Sequence, residues 1–125
     1  MSIAPPTLSA IFADYLALYY LCPMQSFLQQ KLPQLHLILK TNKVKRAYIF
    51  GSACTDLFTD DSDVDILIAF EDGLDPIEYG ENFFKIAYQA ESLLHKKVDL
   101  ITESSLSNSY FIAQVNKTKV QVYGS

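Results

Sequence analysis

The chain has 125 residues, half of them hydrophobic, and sets 10 Lys and Arg against 14 Asp and Glu for a formal charge of −4. That is one domain's length with ample apolar material for a core. The acidity argues against direct binding to a nucleic-acid backbone, which Lys and Arg drive. Cys22 and Cys54 make neither a disulfide framework nor a zinc spacing and fit a reduced, cytoplasmic setting, while the four glycines cannot make Gly-x-Gly-x-x-Gly or a P-loop.

Residues 1–8 form a loose start containing Pro5-Pro6. Residues 9–22, SAIFADYLALYYLC, read as an apolar helix ended by Pro23. It lacks the basic start of a signal peptide and is too short to span a bilayer. Such a helix could pack on the domain, form an interface, or be an upstream extension of a start at Met24. Residues 24–39 read as an amphipathic helix through Phe27, Leu28, Leu32, Leu35 and Leu39, with Pro33 expected to kink or interrupt it. The basic run KTNKVKR, residues 40–46, suits a solvated helix end or, alternatively, a rim that attracts phosphate.

Residues 46–50 read as a buried strand, and residues 64–70 as a second. Between them, Gly51-Ser52 turns directly off the first strand, and a short helix is expected over residues 53–57. A glycine there permits a sharp turn or a close approach to a ligand. Exposed N–H groups at a helix start attract phosphate, and Ser52 can add a hydroxyl; a plain serine-capped turn is the alternative. Asp56, Asp60 and Asp61 read as solvent-facing loop acids. Asp63 and Asp65 open the second strand two residues apart, which points them to one face with Cα atoms about 6.7 Å apart. Aspartate is disfavoured in strands. Two like charges held this close repel, unless a cation such as magnesium lies between them. A solvated sheet edge with two ordinary acids is the other possibility.

Asp75-Pro76 marks a helix start. Residues 76–95 form the helix, with Ile77, Phe84, Ala87, Tyr88 and Leu94 close to one face. Residues 96–101 read as a strand carrying Asp99, residues 102–116 as a further helix, and residues 119–123 as a last strand. His36 and His95 read as helix-surface residues. Strands separated by helices give an α/β domain with a mixed sheet flanked by helices.

The pieces Phe50-Gly51-Ser52 and Ser62-Asp63-Val64-Asp65-Ile66-Leu67, at this spacing, resemble the nucleotidyltransferase superfamily that includes DNA polymerase β. More narrowly, they resemble minimal nucleotidyltransferase (MNT) domains, the antitoxins of HEPN/MNT pairs. The resemblance covers residues 24–123 or so. It implies a polymerase β-like fold and divides the chain into an N-terminal apolar extension, residues 1–23, and a minimal nucleotidyltransferase domain, residues 24–125. It further implies that Asp63, Asp65 and Asp99, the last in a Val-Asp-Leu context, are catalytic and hold one or two magnesium ions. Gly51 and Ser52 would bind the phosphates of ATP or another nucleoside triphosphate. One departure stands out: the Arg-Gly that follows the glycine-serine turn in the family is Thr55-Asp56 here.

Three activities follow from the resemblance. The chain could transfer AMP to a hydroxyl of a HEPN-type helical partner. It could be a silent nucleotide-binding antitoxin that acts by occlusion, which Thr55-Asp56 favours. It could modify a small molecule such as an antibiotic, although 125 residues leave little room for the second domain such enzymes carry. Each implies a protein without a membrane segment; a homo-oligomer stays open.

Overall fold

The computed structural model describes residues 25–54, 59 and 61–124. The apolar extension and Thr55-Asp56 lie outside the described residues, as do Asp56 and Asp60 of the acidic loop. Helix α1 spans Gln25–Thr41, and strand β1 spans Val44–Phe50. A 3-10 turn, Gly51–Cys54, leads toward strand β2, Val64–Phe70. Helix α2 (Pro76–Leu94), strand β3 (Val98–Thr102), a 3-10 turn (Glu103–Ser105), helix α3 (Ser109–Thr118) and strand β4 (Val120–Gly124) complete the order.

The four strands form one mixed sheet in the order β3-β2-β1-β4. β1 is antiparallel to both β2 and β4, and β2 is parallel to β3. Parallel neighbours need a long crossover, and α2 supplies it. Along β2 the period-2 rule separates two faces. Val64, Ile66, Ile68 and Phe70 enter the main core, which α1 closes with Leu28, Leu32, Leu35 and Leu39 and α2 with Ile86, Ala90 and Leu94. Burying each such leucine contributes about 1.5–3 kcal/mol. The alternate residues look the other way. There a smaller cluster of Phe50, Leu67 and Val115, flanked by Tyr48, Ile101 and Leu106, seats α3 on the sheet.

Pro33 does not interrupt α1. It is exposed, and the buried leucines on either side carry the helix past the missing N–H. The basic run is not one loop: Lys40 and Thr41 end α1, Asn42 and Lys43 turn, and Val44 to Arg46 already belong to β1. Lys43 adopts φ 64°, and its ammonium meets Glu78 at 2.8 Å. Asn42, although buried, donates its amide to the Ile38 carbonyl and to Gln89, which ties α1 to α2.

α2 starts as expected, with the Asp75 carboxylate accepting from the Ile77 and Glu78 amides. Its inward face keeps Leu94 of the expected stripe but otherwise differs from expectation. Asn82, Ile86, Ala90 and Leu94 are buried, while Ile77, Phe84 and Tyr88 are 74%, 70% and 73% exposed. The helix carries two apolar stripes, and the smaller side chains are the ones that fit against α1 and the sheet. His36 is not a free surface residue: its Nε2 contacts the Val122 carbonyl and its ring meets Tyr123 edge-on. His95 closes α2 in the left-handed region at φ 54°. The expected helix over residues 102–116 is two elements, a 3-10 turn and then α3, which the Asn108 side chain caps by accepting from the Phe111 amide.

Candidate active site

The register brings the sequence-predicted residues to one end of the open sheet face. Phe50 pairs with Asp65, and Asp65 pairs with Asp99. Phe50, Asp65 and Asp99 thus form one row across β1, β2 and β3. Asp63 stands just before β2, two residues from Asp65.

Gly51 begins the 3-10 turn directly at the end of β1, two residues before the helix expected at Ala53. Its φ of +76° lies in the left-handed region, and a Cβ added there would stand 2.3 Å from Asp65 Oδ2. Glycine is therefore required twice, by conformation and by contact. Ser52 follows in the same turn. Residues 55–58, where the rest of the expected short helix falls, lie outside the described residues.

Asp65 is half-buried, and its carboxyl is pushed up from 3.8 to about 6. Burial is the largest cause, followed by the charges of Asp99 and Asp63 and a hydrogen bond with Asp99. All three sequence-predicted acids are thus brought together electrostatically. Asp99 is exposed, so the cluster opens to solvent on the β3 side.

The acids suit a magnesium ion in chemistry, being hard oxygen donors under mutual repulsion that a cation relieves. Among the described residues no three His, Cys, Asp or Glu side chains enclose a ready-made metal cage. Magnesium escorted by a nucleotide does not need one, because it takes one or two carboxylates and fills its remaining positions with phosphate oxygens and water.

Further along the same face the charges change character. Arg46, four residues before Phe50 and so about 13 Å away along β1, grips Glu103 through Nε at 2.8 Å and a second guanidinium nitrogen at 2.7 Å. The hydrogen bond from Arg46 holds Glu103 below its ordinary 4.5. Between the two ends, Lys119 Nζ stands 4.8 Å from the centre of the Tyr48 ring. A cleft of about 580 Å³ opens there between Tyr48, Leu67, Val115 and Lys119. The basic residues Lys43 and Arg46 are thus engaged with carboxylates elsewhere and do not rim the acids.

One residue without a sequence signal belongs to this end. The Gly51 N–H donates to the Thr118 hydroxyl at 2.9 Å, across 67 positions of chain. Threonine at the end of a helix carries no signal for such a contact.

The family model described as polymerase beta, nucleotidyltransferase, matches residues 33–125. The chain is 35% identical over 80 residues to a candidate protein adenylyltransferase of Methanocaldococcus jannaschii, covering 64% of this chain and 78% of that one. A toxin–antitoxin structure with AMP-PNP is similar at TM-score 0.60 and 28% identity, over 75% of this chain and 73% of that one. The complex of a tri-AMPylated HEPN toxin with an MNT antitoxin from Shewanella oneidensis is similar at TM-score 0.55 and 27% identity, over 78% and 72%. With a family model spanning its sheet, its glycine-serine turn and its acid row, this chain belongs to the polymerase beta nucleotidyltransferase family.

Proposed function

We propose that the chain is a magnesium-dependent nucleotidyltransferase that moves AMP from ATP onto a hydroxyl of a HEPN-type partner protein, as the antitoxin of a toxin–antitoxin pair in the cytoplasm. The single observation that carries this reading is the row of Asp65 and Asp99, with Asp63 beside it and Gly51 packed against it. The names of similar proteins, a protein adenylyltransferase and an antitoxin bound to an AMPylated HEPN toxin, support the acceptor class.

Asp63, Asp65 and Asp99 would hold magnesium, which when bound neutralises charge on the reacting phosphate and on the departing pyrophosphate. Gly51 and Ser52 would receive the β- and γ-phosphates. Asp99, exposed at the β3 side, would orient the acceptor hydroxyl and take up its proton. The acceptor oxygen bonds to the α-phosphorus as the bond to the bridging oxygen breaks, and pyrophosphate leaves. An open acid cluster suits an acceptor presented by another protein. Among the described residues no helix is long and apolar enough to cross a membrane.

Intact-mass spectrometry of a co-expressed HEPN-type partner tests the proposal. The wild type should add adenylate masses, and Asp63→Asn and Asp65→Asn should add none while the complex survives gel filtration. A partner left unmodified by the wild type yet still neutralised would instead support occlusion alone, the reading that the sequence departure at Thr55-Asp56 favours.

A further inference from the structure

We propose that Thr118 is a positioning residue of the nucleotide site: its hydroxyl holds the Gly51 turn in the shape that receives the triphosphate. The proposal rests on the function proposed above and adds a residue from a distant part of the chain.

Three observations carry it. The Gly51 N–H donates to Thr118 Oγ1 at 2.9 Å, so Thr118 acts on the shape of the turn. The turn has little slack, because Gly51 lies so close over the Asp65 carboxylate that even a methyl group would collide with it. A small rotation at Gly51 therefore changes the spacing between the phosphate cradle and the acids together. Finally, the residue that carries the accepting hydroxyl is itself anchored. Thr118 is the last residue of α3, whose end is closed by the Lys119 amide donating to the Val115 carbonyl at 2.9 Å. Val115 is buried against Phe50, and Phe111 meets the Phe50 ring edge-on at 6.1 Å. Helix α3 thus grips Phe50 by packing and Gly51 by a hydrogen bond, and the last residue of β1 and the first of the turn are fixed from one element.

The decisive variants are Thr118→Val, which keeps the shape and removes the acceptor, and Thr118→Ser, which keeps the acceptor. Titration of the full chain with AMP-PNP and magnesium should show Thr118→Val weakening binding by about five- to twentyfold, as expected for leaving a polar group without its partner. Thr118→Ser should stay within about twofold, the usual range of a mild substitution. Asn108→Ala serves as the control, because it loosens α3 at its other end without touching Gly51. It should leave nucleotide affinity unchanged. Amide hydrogen exchange supplies a readout that needs no ligand: Gly51 should exchange faster in Thr118→Val than in the wild type.

If the wild type binds AMP-PNP and Thr118→Val binds it equally well, the positioning role is overturned and the proposed function stands. Asn108→Ala weakening binding as much as Thr118→Val also overturns it, since helix stability alone would then account for both. A wild type that binds no AMP-PNP defeats the functional reading itself. Should Thr118→Val not fold, exchange in the wild type decides, because a Gly51 amide exchanging at the rate of an open chain is incompatible with the proposed grip.

Discussion

Two charge pairs share the open face of the sheet and are built in opposite ways. At one end Arg46 and Glu103 meet through two hydrogen bonds, 2.8 and 2.7 Å long, and each holds the other in its charged form. At the other end Asp65 and Asp99 face each other with like charge, Asp63 adds to the repulsion, and Asp65 responds by holding its proton up to about pH 6. The first pair is complete within the protein. On the function proposed above, the second would be completed by a cation. A fold gains nothing from three crowded acids, so their cost is best explained by a ligand that the folded state binds.

The largest expected effect comes from breaking the incomplete end. Asp65→Asn should reduce adenylate transfer by more than the ~100-fold that even an outer partner of a metal ligand can be worth. Without magnesium or nucleotide it should leave the melting temperature unchanged or raise it. The pH dependence carries the sign. Asp65 binds its proton more tightly when folded than its ordinary 3.8 allows, so its contribution to stability is full below that value and is lost as pH rises through about 6. Asp65→Asn should remove this decline. A melting profile between pH 4 and 7 that is identical in wild type and variant would argue against the crowding of the acids.

A smaller effect tests how closely that end is built. Gly51→Ala meets two obstacles, a left-handed φ of +76° and Asp65 Oδ2 at 2.3 Å from the new Cβ. The conformation alone costs about 1–2 kcal/mol. Chemical denaturation should show at least that loss, and transfer should fall as well because Asp65 must move. Full activity in Gly51→Ala would mean the turn is looser than the contact indicates.

The incomplete end was the more legible of the two. Aspartate in a strand is conspicuous, alternation assigns its face, and the limits of β2 follow from the apolar run after Val64. The Asp75-Pro76 start of α2 was legible for the same reason, since capping is local. The buried face of α2 was not. Phe84 and Tyr88 form the stronger apolar stripe but stay exposed, while the buried stripe includes Asn82 and Ala90. Periodicity reports that a stripe exists and not which stripe the neighbouring helix can fit. The Asn108 cap before α3 is readable from residue type, although the polar residues from Thr102 suggest an earlier start. The Arg46–Glu103 pair and the Gly51–Thr118 bond join residues 57 and 67 positions apart. Such contacts exist only once the strand order is known.

The smallest expected effect lies at the complete end. Glu103→Gln keeps the shape of the side chain and removes its charge. Both partners are about 28–29% exposed, and a solvent-accessible pair of this kind contributes little at neutral pH. Its pH signature is opposite to that of Asp65. Hydrogen bonding to Arg46 holds Glu103 below 4.5, so its contribution is present above that value and is lost as pH falls through the lower folded value. Glu103→Gln should therefore flatten the acid side of the melting profile, while Asp65→Asn flattens the side between about 4 and 6. Adenylate transfer should be unchanged in Glu103→Gln, because the pair stands about 13 Å down the strand from the acid row. If Glu103→Gln abolished transfer while the fold held, the two ends would not be independent, and the Arg46 pair would belong to the site.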